Sequence, residues 1–107
     1  MGSAICGEKK RPGGKLVKAC VELDERGEPT RLLISGDFFV EPEEGYELLE
    51  EIVAGPAKSL SALGLERASE LLERELRSRG VALIGVEPLD VLEAIARALE
   101  SSRGGRS

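Results

Sequence analysis

Lys15-Leu16-Val17-Lys18-Ala19-Cys20-Val21-Glu22-Leu23-Asp24 alternates from apolar to polar, residue by residue. Val17, Ala19, Val21 and Leu23 point to one side; Lys18, Cys20 and Glu22 point to the other. That period of two is the mark of a half-buried strand. Asp24-Glu25-Arg26-Gly27-Glu28-Pro29 follows as turn chemistry, since glycine supplies positive φ and proline cannot donate to a ladder. Residues 31–40 alternate again, with Leu32, Ile34, Phe38 and Val40 on one face and Gly36 between them. Two such runs across a short turn predict an antiparallel hairpin.

Downstream the period changes to that of helices. Pro42 suits a first helical turn, Glu41, Glu43 and Glu44 complement its positive end, and Gly55-Pro56 suits its close. The apolar stripe is Tyr46, Leu49, Ile52 and Val53, and residues 57–63 read as a small-residue connection. A second helix is predicted from about Leu65 to Arg79, burying Leu65, Ala68, Leu71, Leu72 and Leu76, with Gly80 as its stop. Glu70–Arg74, Glu73–Arg77 and Glu75–Arg79 are i,i+4 pairs in the favoured order. Val81-Ala82-Leu83-Ile84-Gly85 is too short for a helix and fits a third strand. Pro88 opens a last helix with Leu92, Ile95, Ala96 and Leu99 inward. Residues 1–14 read as a glycine-rich basic N-terminal loop and 101–107 as a frayed tail. The expected fold is a single α+β domain over residues 1–107: a small antiparallel sheet backed by about three helices.

Composition narrows the chemistry. The 107 residues contain no His, which removes the usual neutral-pH general base and the commonest zinc ligand. No catalytic residue and no metal site is expected. Asn and Gln are also absent while Glu and Arg abound, a balance suited to a hot environment. Cys6 and Cys20 have no metal-ligand spacing and no CxxC partner, and read as reduced thiols in a cytoplasmic protein. No stretch approaches the roughly 20 apolar residues of a membrane span. Net charge is −5. It is uneven: Lys9, Lys10, Arg11, Lys15 and Lys18 lie near the start, and Glu41, Glu43, Glu44, Glu47, Glu50 and Glu51 follow without a cation.

Two motifs stand out. The first is Lys10-Arg11-Pro12-Gly13-Gly14-Lys15, where bare backbone N–H groups and a lysine suit an anion or an acidic partner. It is not a Walker A loop, because Lys9 stands at the first glycine position and Leu16 at the Ser/Thr position. The plain alternative is a flexible entry loop. The second is Gly36-Asp37-Phe38-Phe39, where a glycine inside a strand marks a bulge or the close approach of another backbone. It reads either as an interaction corner shared with the first loop or as a bulge with Asp37 bonding local amides.

These motifs carry a resemblance. Gly7, Lys10, Pro12-Gly13-Gly14-Lys15-Leu16-Val17, then Ile34-Ser35-Gly36-Asp37-Phe38-Phe39 and Pro42-Glu43, resemble the signatures of the small accessory subunit of archaeal-type two-part lipoate–protein ligases. The match covers about residues 5–55. Lys9 stands where that family often has a histidine. The resemblance implies a fold related to the SufE/IscU type, equivalent to the C-terminal domain of single-chain ligases. It implies a heterodimer with a large subunit that binds lipoate and ATP with magnesium and holds the catalytic lysine. This chain would be non-catalytic alone and bind no cofactor by itself. It would be needed for the AMP-forming activation of lipoate, with transfer to a lipoyl-domain or glycine-cleavage H protein. Lys15, with Gly13 and Gly14, would complete the adenylate site; Lys10 and Arg11 would attract the large subunit; Phe38 and Phe39 would be apolar anchors. The alternatives are an iron–sulfur assembly protein of the SufE or scaffold class, for which the two cysteines are poorly arranged, and a nucleic-acid-binding module. Acidic balance and scarce aromatics disfavour the latter.

Overall fold

The computed structural model describes residues 3–13, 15–27 and 29–104. A three-stranded antiparallel sheet runs β1 (Ser3–Lys10), β2 (Leu16–Leu23), β3 (Pro29–Gly36), in that spatial order. A second, two-stranded antiparallel sheet joins β4 (Phe39–Glu41) to β5 (Ala82–Ile84). The helices are α1 (Gly45–Lys58), the single-turn α2 (Leu60–Leu63), α3 (Leu65–Ser78) and α4 (Pro88–Gly104). The fold is α+β, as the alternation and the helical stripes predict.

The expected antiparallel hairpin of β2 and β3 forms, with Ala19 opposite Ile34 and Val21 opposite Leu32. Val17, Ala19, Val21 and Leu23 are buried, as the period of two requires. They meet Val91, Leu92, Ala94, Ile95 and Ala98 of α4. Leu49, Ile52 and Val53 of α1 and Ala68, Leu72 and Leu76 of α3 complete an aliphatic core. Each fully buried Leu, Ile or Val side chain contributes roughly 1.5–3 kcal/mol of apolar burial. The other face of the main sheet is uncovered, with Lys18 and Leu33 exposed on it.

Several sequence expectations need correction. Ser3–Lys10 is a strand, not part of a loop. Its burial alternates, but the residues turned inward are Ile5, Gly7 and Lys9, so geometry and hydrophobicity do not coincide. Gly7 is the reason α4 fits: a Cβ there would overlap Ala98 N and Ala94 O of the helix backbone. The run 31–40 is not one strand. It breaks after Gly36, whose φ is +146° and whose Cβ would collide with the Leu16 carbonyl. Asp37 N–H donates to that same carbonyl at 2.8 Å, and the chain then leaves the main sheet for β4.

Helix α1 starts after Pro42, whose carbonyl accepts the Gly45 N–H at 2.8 Å, and it runs through Pro56 to Lys58. Proline there removes one intrahelical bond, but its ring is buried against the core and Ser59 N–H closes the helix on Gly55 and Pro56 carbonyls. Residues 60–63 form α2 instead of a plain connection. Residues 101–104 continue α4, since no breaker intervenes before the glycines; 105–107 lie outside the described residues. Of the i,i+4 pairs, Glu73–Arg77 forms at 3.8 Å, whereas Arg79 turns to Glu51 of α1 at 2.8 Å.

Cys6 and Cys20 are direct cross-strand partners and are bonded as a disulfide, not the reduced thiols expected. Their pairing depends on β1, which hydrophobic period alone does not reveal. On the opposite edge, Glu50 of α1 accepts the Leu32 N–H at 3.1 Å and pairs with Arg31 at 3.2 Å. That covers a strand edge with a carboxylate. The Arg31 hydrogen bond, then the Leu32 amide, hold Glu50 below its ordinary range.

Two outcomes follow from these contacts. Gly7→Val should cost about 2–3 kcal/mol by forcing the strand off the helix, whereas Gly55→Ala, with open space around its Cβ, should add about 0.5–1 kcal/mol; urea denaturation measures both. Because the Glu50 value is depressed in the folded chain, its contribution is present above the ordinary carboxylate range and is lost as pH falls through and below it. Glu50→Gln should therefore lower Tm at neutral pH and leave it little changed at the acid end, when thermal melts are run across that window.

Candidate functional site

The loop 11–15 is the turn of the β1–β2 hairpin, closed by Arg11 N–H donating to the Lys15 carbonyl at 2.7 Å. Pro12 and Gly13 form its exposed tip, and Gly14 lies outside the described residues. A strand projects successive side chains to opposite faces, and this sorts the basic run into two groups. Lys9 turns toward α4 and pairs with Glu93 at 3.1 Å. Arg11 also turns that way and bonds Asp90 at 2.6 Å, with Glu87 at 3.9 Å. Lys10 and Lys18 turn to the open face of the sheet. Among the described residues no ion pair engages Lys10, Lys15 or Lys18.

Asp90 explains why Arg11 is held. The residue is 5% exposed and occupies the third helical position of α4. Its Oδ2 also accepts the Glu87 N–H at 2.9 Å, which is the return half of a capping box, with Pro88 at the first helical position. The Asp90 hydrogen bond, followed by its charge, raises the Arg11 guanidinium above its ordinary value. Arg97 adds a further tie, donating to the Glu8 carbonyl of β1 at 2.9 Å. Arg11 is thus a fastening between hairpin and helix, and not the freely available attracting charge expected from sequence.

The second motif reaches the same corner. The hydrogen bond from Asp37 to the Leu16 carbonyl sets Asp37 next to the residue that follows Lys15. The Lys15 side chain lies over Gly85, where a Cβ would stand 3.7 Å from its Cε and 3.8 Å from both its Nζ and the Asp37 carbonyl. Phe39 is directly opposite Ile84 in the small sheet. Both are exposed, at 69% and 43%. Lys15, Asp37, Phe39, Ile84 and Gly85 therefore form one solvent-facing corner: an apolar pair flanked by an unpaired cation and an exposed carboxylate. No hydrogen bond ties the Asp37 side chain among the described residues, so it does not bond local amides.

The two phenylalanines divide. Phe38 is 3% exposed and stacks on Tyr46 with ring centroids 5.9 Å apart, so it is core and not a contact anchor. Phe39, one residue on, takes the outer face. Neither motif marks Ile84 or Gly85; their sequence signal is an apolar run ending in glycine, and its pairing with β4 is long-range. A half-open apolar cavity of about 140 Å³, lined by Val21, Leu32, Ala54, Ile95 and Leu99 among others, lies at the other end of β3, and no corner residue contributes to it. No helix among the described residues is long and apolar enough to cross a membrane.

The sorting of cations is checked by stability. Asp90→Ala should cost about 1–3 kcal/mol through the lost hydrogen bonds to the Glu87 N–H and Arg11, and Arg11→Ala should also lower Tm. Lys10→Ala and Lys15→Ala should leave Tm unchanged within error in the same scanning-calorimetry series.

Comparison with known proteins gives one informative match. No family model and no solved structure matches the chain. A curated protein of Thermoplasma acidophilum, named Lipoate-protein ligase A subunit 2, is 34% identical over 62 residues, which is 58% of this chain and 57% of that protein. The chain thus spans little more than half the length of this relative. It is similar to a second subunit of a lipoate–protein ligase, in agreement with the resemblance carried by the two motifs.

Proposed function

We propose that this chain is the accessory subunit of a two-part lipoate–protein ligase. It joins a large catalytic subunit and supports ATP-dependent activation of lipoate to lipoyl-adenylate, ahead of transfer to a lipoyl-domain or glycine-cleavage H protein. The observation that carries this reading is spatial. The two motifs that bear the resemblance, well apart in sequence, fold into one exposed corner around Lys15, Asp37 and Phe39. The name of the Thermoplasma relative supports the class.

The physical logic follows from charge. Adenylation brings a carboxylate to a triphosphate, and the approach of two anions needs cations or oriented N–H donors in place beforehand. Lys15 is the corner's unpaired cation, and the hairpin closed by Arg11, with Arg11 itself bound to Asp90, holds the loop that carries it. Phe39 and Ile84 form an apolar pair of the kind that anchors protein interfaces. In this scheme Lys15 faces the nucleotide side of the large subunit, the apolar pair seats the contact, and Lys10 adds attraction. An iron–sulfur role is disfavoured because such proteins need a loop cysteine or several ligating cysteines, whereas Cys6 and Cys20 lie inside β1 and β2, directly opposite each other.

Lipoate-dependent ATP–pyrophosphate exchange tests the reading. The large subunit alone should be nearly inactive, and adding this chain should restore exchange. Lys15→Ala should cut exchange at least tenfold at saturating subunit. Phe39→Ala should weaken association by about 2 kcal/mol, roughly thirtyfold in Kd, with exchange recovered at high concentration. A large subunit equally active without this chain would overturn the proposal.

A further inference from the structure

We propose that the Cys6–Cys20 bond is a redox-operated clamp on β1: a dithiol reductant releases this strand and leaves the remaining fold in place. Three independent features converge on this. First, the bond joins residues that face each other directly across the β1–β2 ladder, with Cα atoms 4.0 Å apart. It therefore fastens one strand to its neighbour and no other element. Second, β1 has little apolar burial of its own. None of its eight residues is buried, whereas four of the eight in β2 are. What remains to hold it is the ladder, the part-buried Ile5 against the core, the Lys9–Glu93 pair, the Arg97 bond to Glu8 and the seat at Gly7. A segment with few buried apolar contacts opens locally at low free energy. Third, the bridge is on the uncovered face of the sheet and Cys6 is exposed, so a reductant reaches it without unfolding the core.

The chemistry is ordinary thiol–disulfide exchange. A thiolate of the dithiol attacks Cys6 Sγ, the Cys6–Cys20 bond breaks, and the Cys20 thiolate leaves and takes up a proton. The second thiol of the reductant then attacks the mixed disulfide, releasing Cys6 as a thiol and the reductant as its cyclic disulfide. Two electrons pass from reductant to protein. The consequence is local: β1 leads straight into the loop that carries Arg11 and Lys15, so release of the strand loosens the exposed corner. This inference does not depend on the ligase reading, because its test reads structure and not activity.

The test is amide hydrogen exchange on the full chain, air-oxidised and after treatment with dithiothreitol, with alkylation to count thiols. The oxidised chain should present no alkylatable thiol and the reduced chain two. On reduction, amides of residues 4–10 should exchange at least tenfold faster, while those of α1 and α3 stay within twofold. The C6S/C20S chain should match the reduced one with or without dithiothreitol. Two thiols in the oxidised chain, β1 exchange within twofold of the oxidised form, or acceleration in every element together would each overturn the proposal.

Discussion

The seating of α4 on β1 is the contact that positions the hairpin loop and, through it, the candidate site. A helix backbone comes close to a strand backbone only where side chains do not intervene, and Gly7 provides that opening opposite Ala94 and Ala98. Close approach then places Lys9 beside Glu93 and Arg11 beside Asp90. Lys9, Glu93 and Arg11 are half-buried around a buried Asp90, and the specific geometry of these pairs sets the position of the strand along the helix. The hairpin loop inherits its place from them.

From that contact the candidate site is assembled in steps. Arg11 fixes the base of the loop, and its partner Asp90 also caps α4. The loop delivers Leu16, whose carbonyl receives Asp37, and the absence of a Cβ at Gly36 lets the two backbones meet. The chain turns there out of the main sheet, which carries Phe38 into the core and leaves Phe39 outside against Ile84. Stability and exposure are thus divided between neighbouring residues: Arg11 against Lys10, Phe38 against Phe39. In each pair one residue holds the framework and the other is available to a partner.

The helical half has a different task. Helix α3 packs on α1 and α4 with one narrow buried stripe, Ala68, Leu72 and Leu76, and shows charges elsewhere. Glu50 of α1 reaches back to cover the β3 edge. These elements hold the sheet, and none of their residues enters the corner.

The amino-acid sequence by itself determined whatever is local. The period of two laid out the β2–β3 hairpin, the helical stripes located α1, α3 and α4, and the glycine–lysine and Gly36-Asp37-Phe38-Phe39 motifs marked both halves of the corner. These signals reside in neighbouring residues, whose spacing is set by strand or helix geometry. Tertiary structure alone decided the remainder. The first strand is invisible to hydrophobic period because a glycine and a lysine, Gly7 and Lys9, fill its inward positions. The disulfide, the sorting of Lys9, Lys10 and Arg11, the split fate of Phe38 and Phe39, and the arrival of Ile84 and Gly85 all follow from pairings between segments far apart in the chain. Their energies come from backbone approach and charge geometry, which no local pattern of residues expresses.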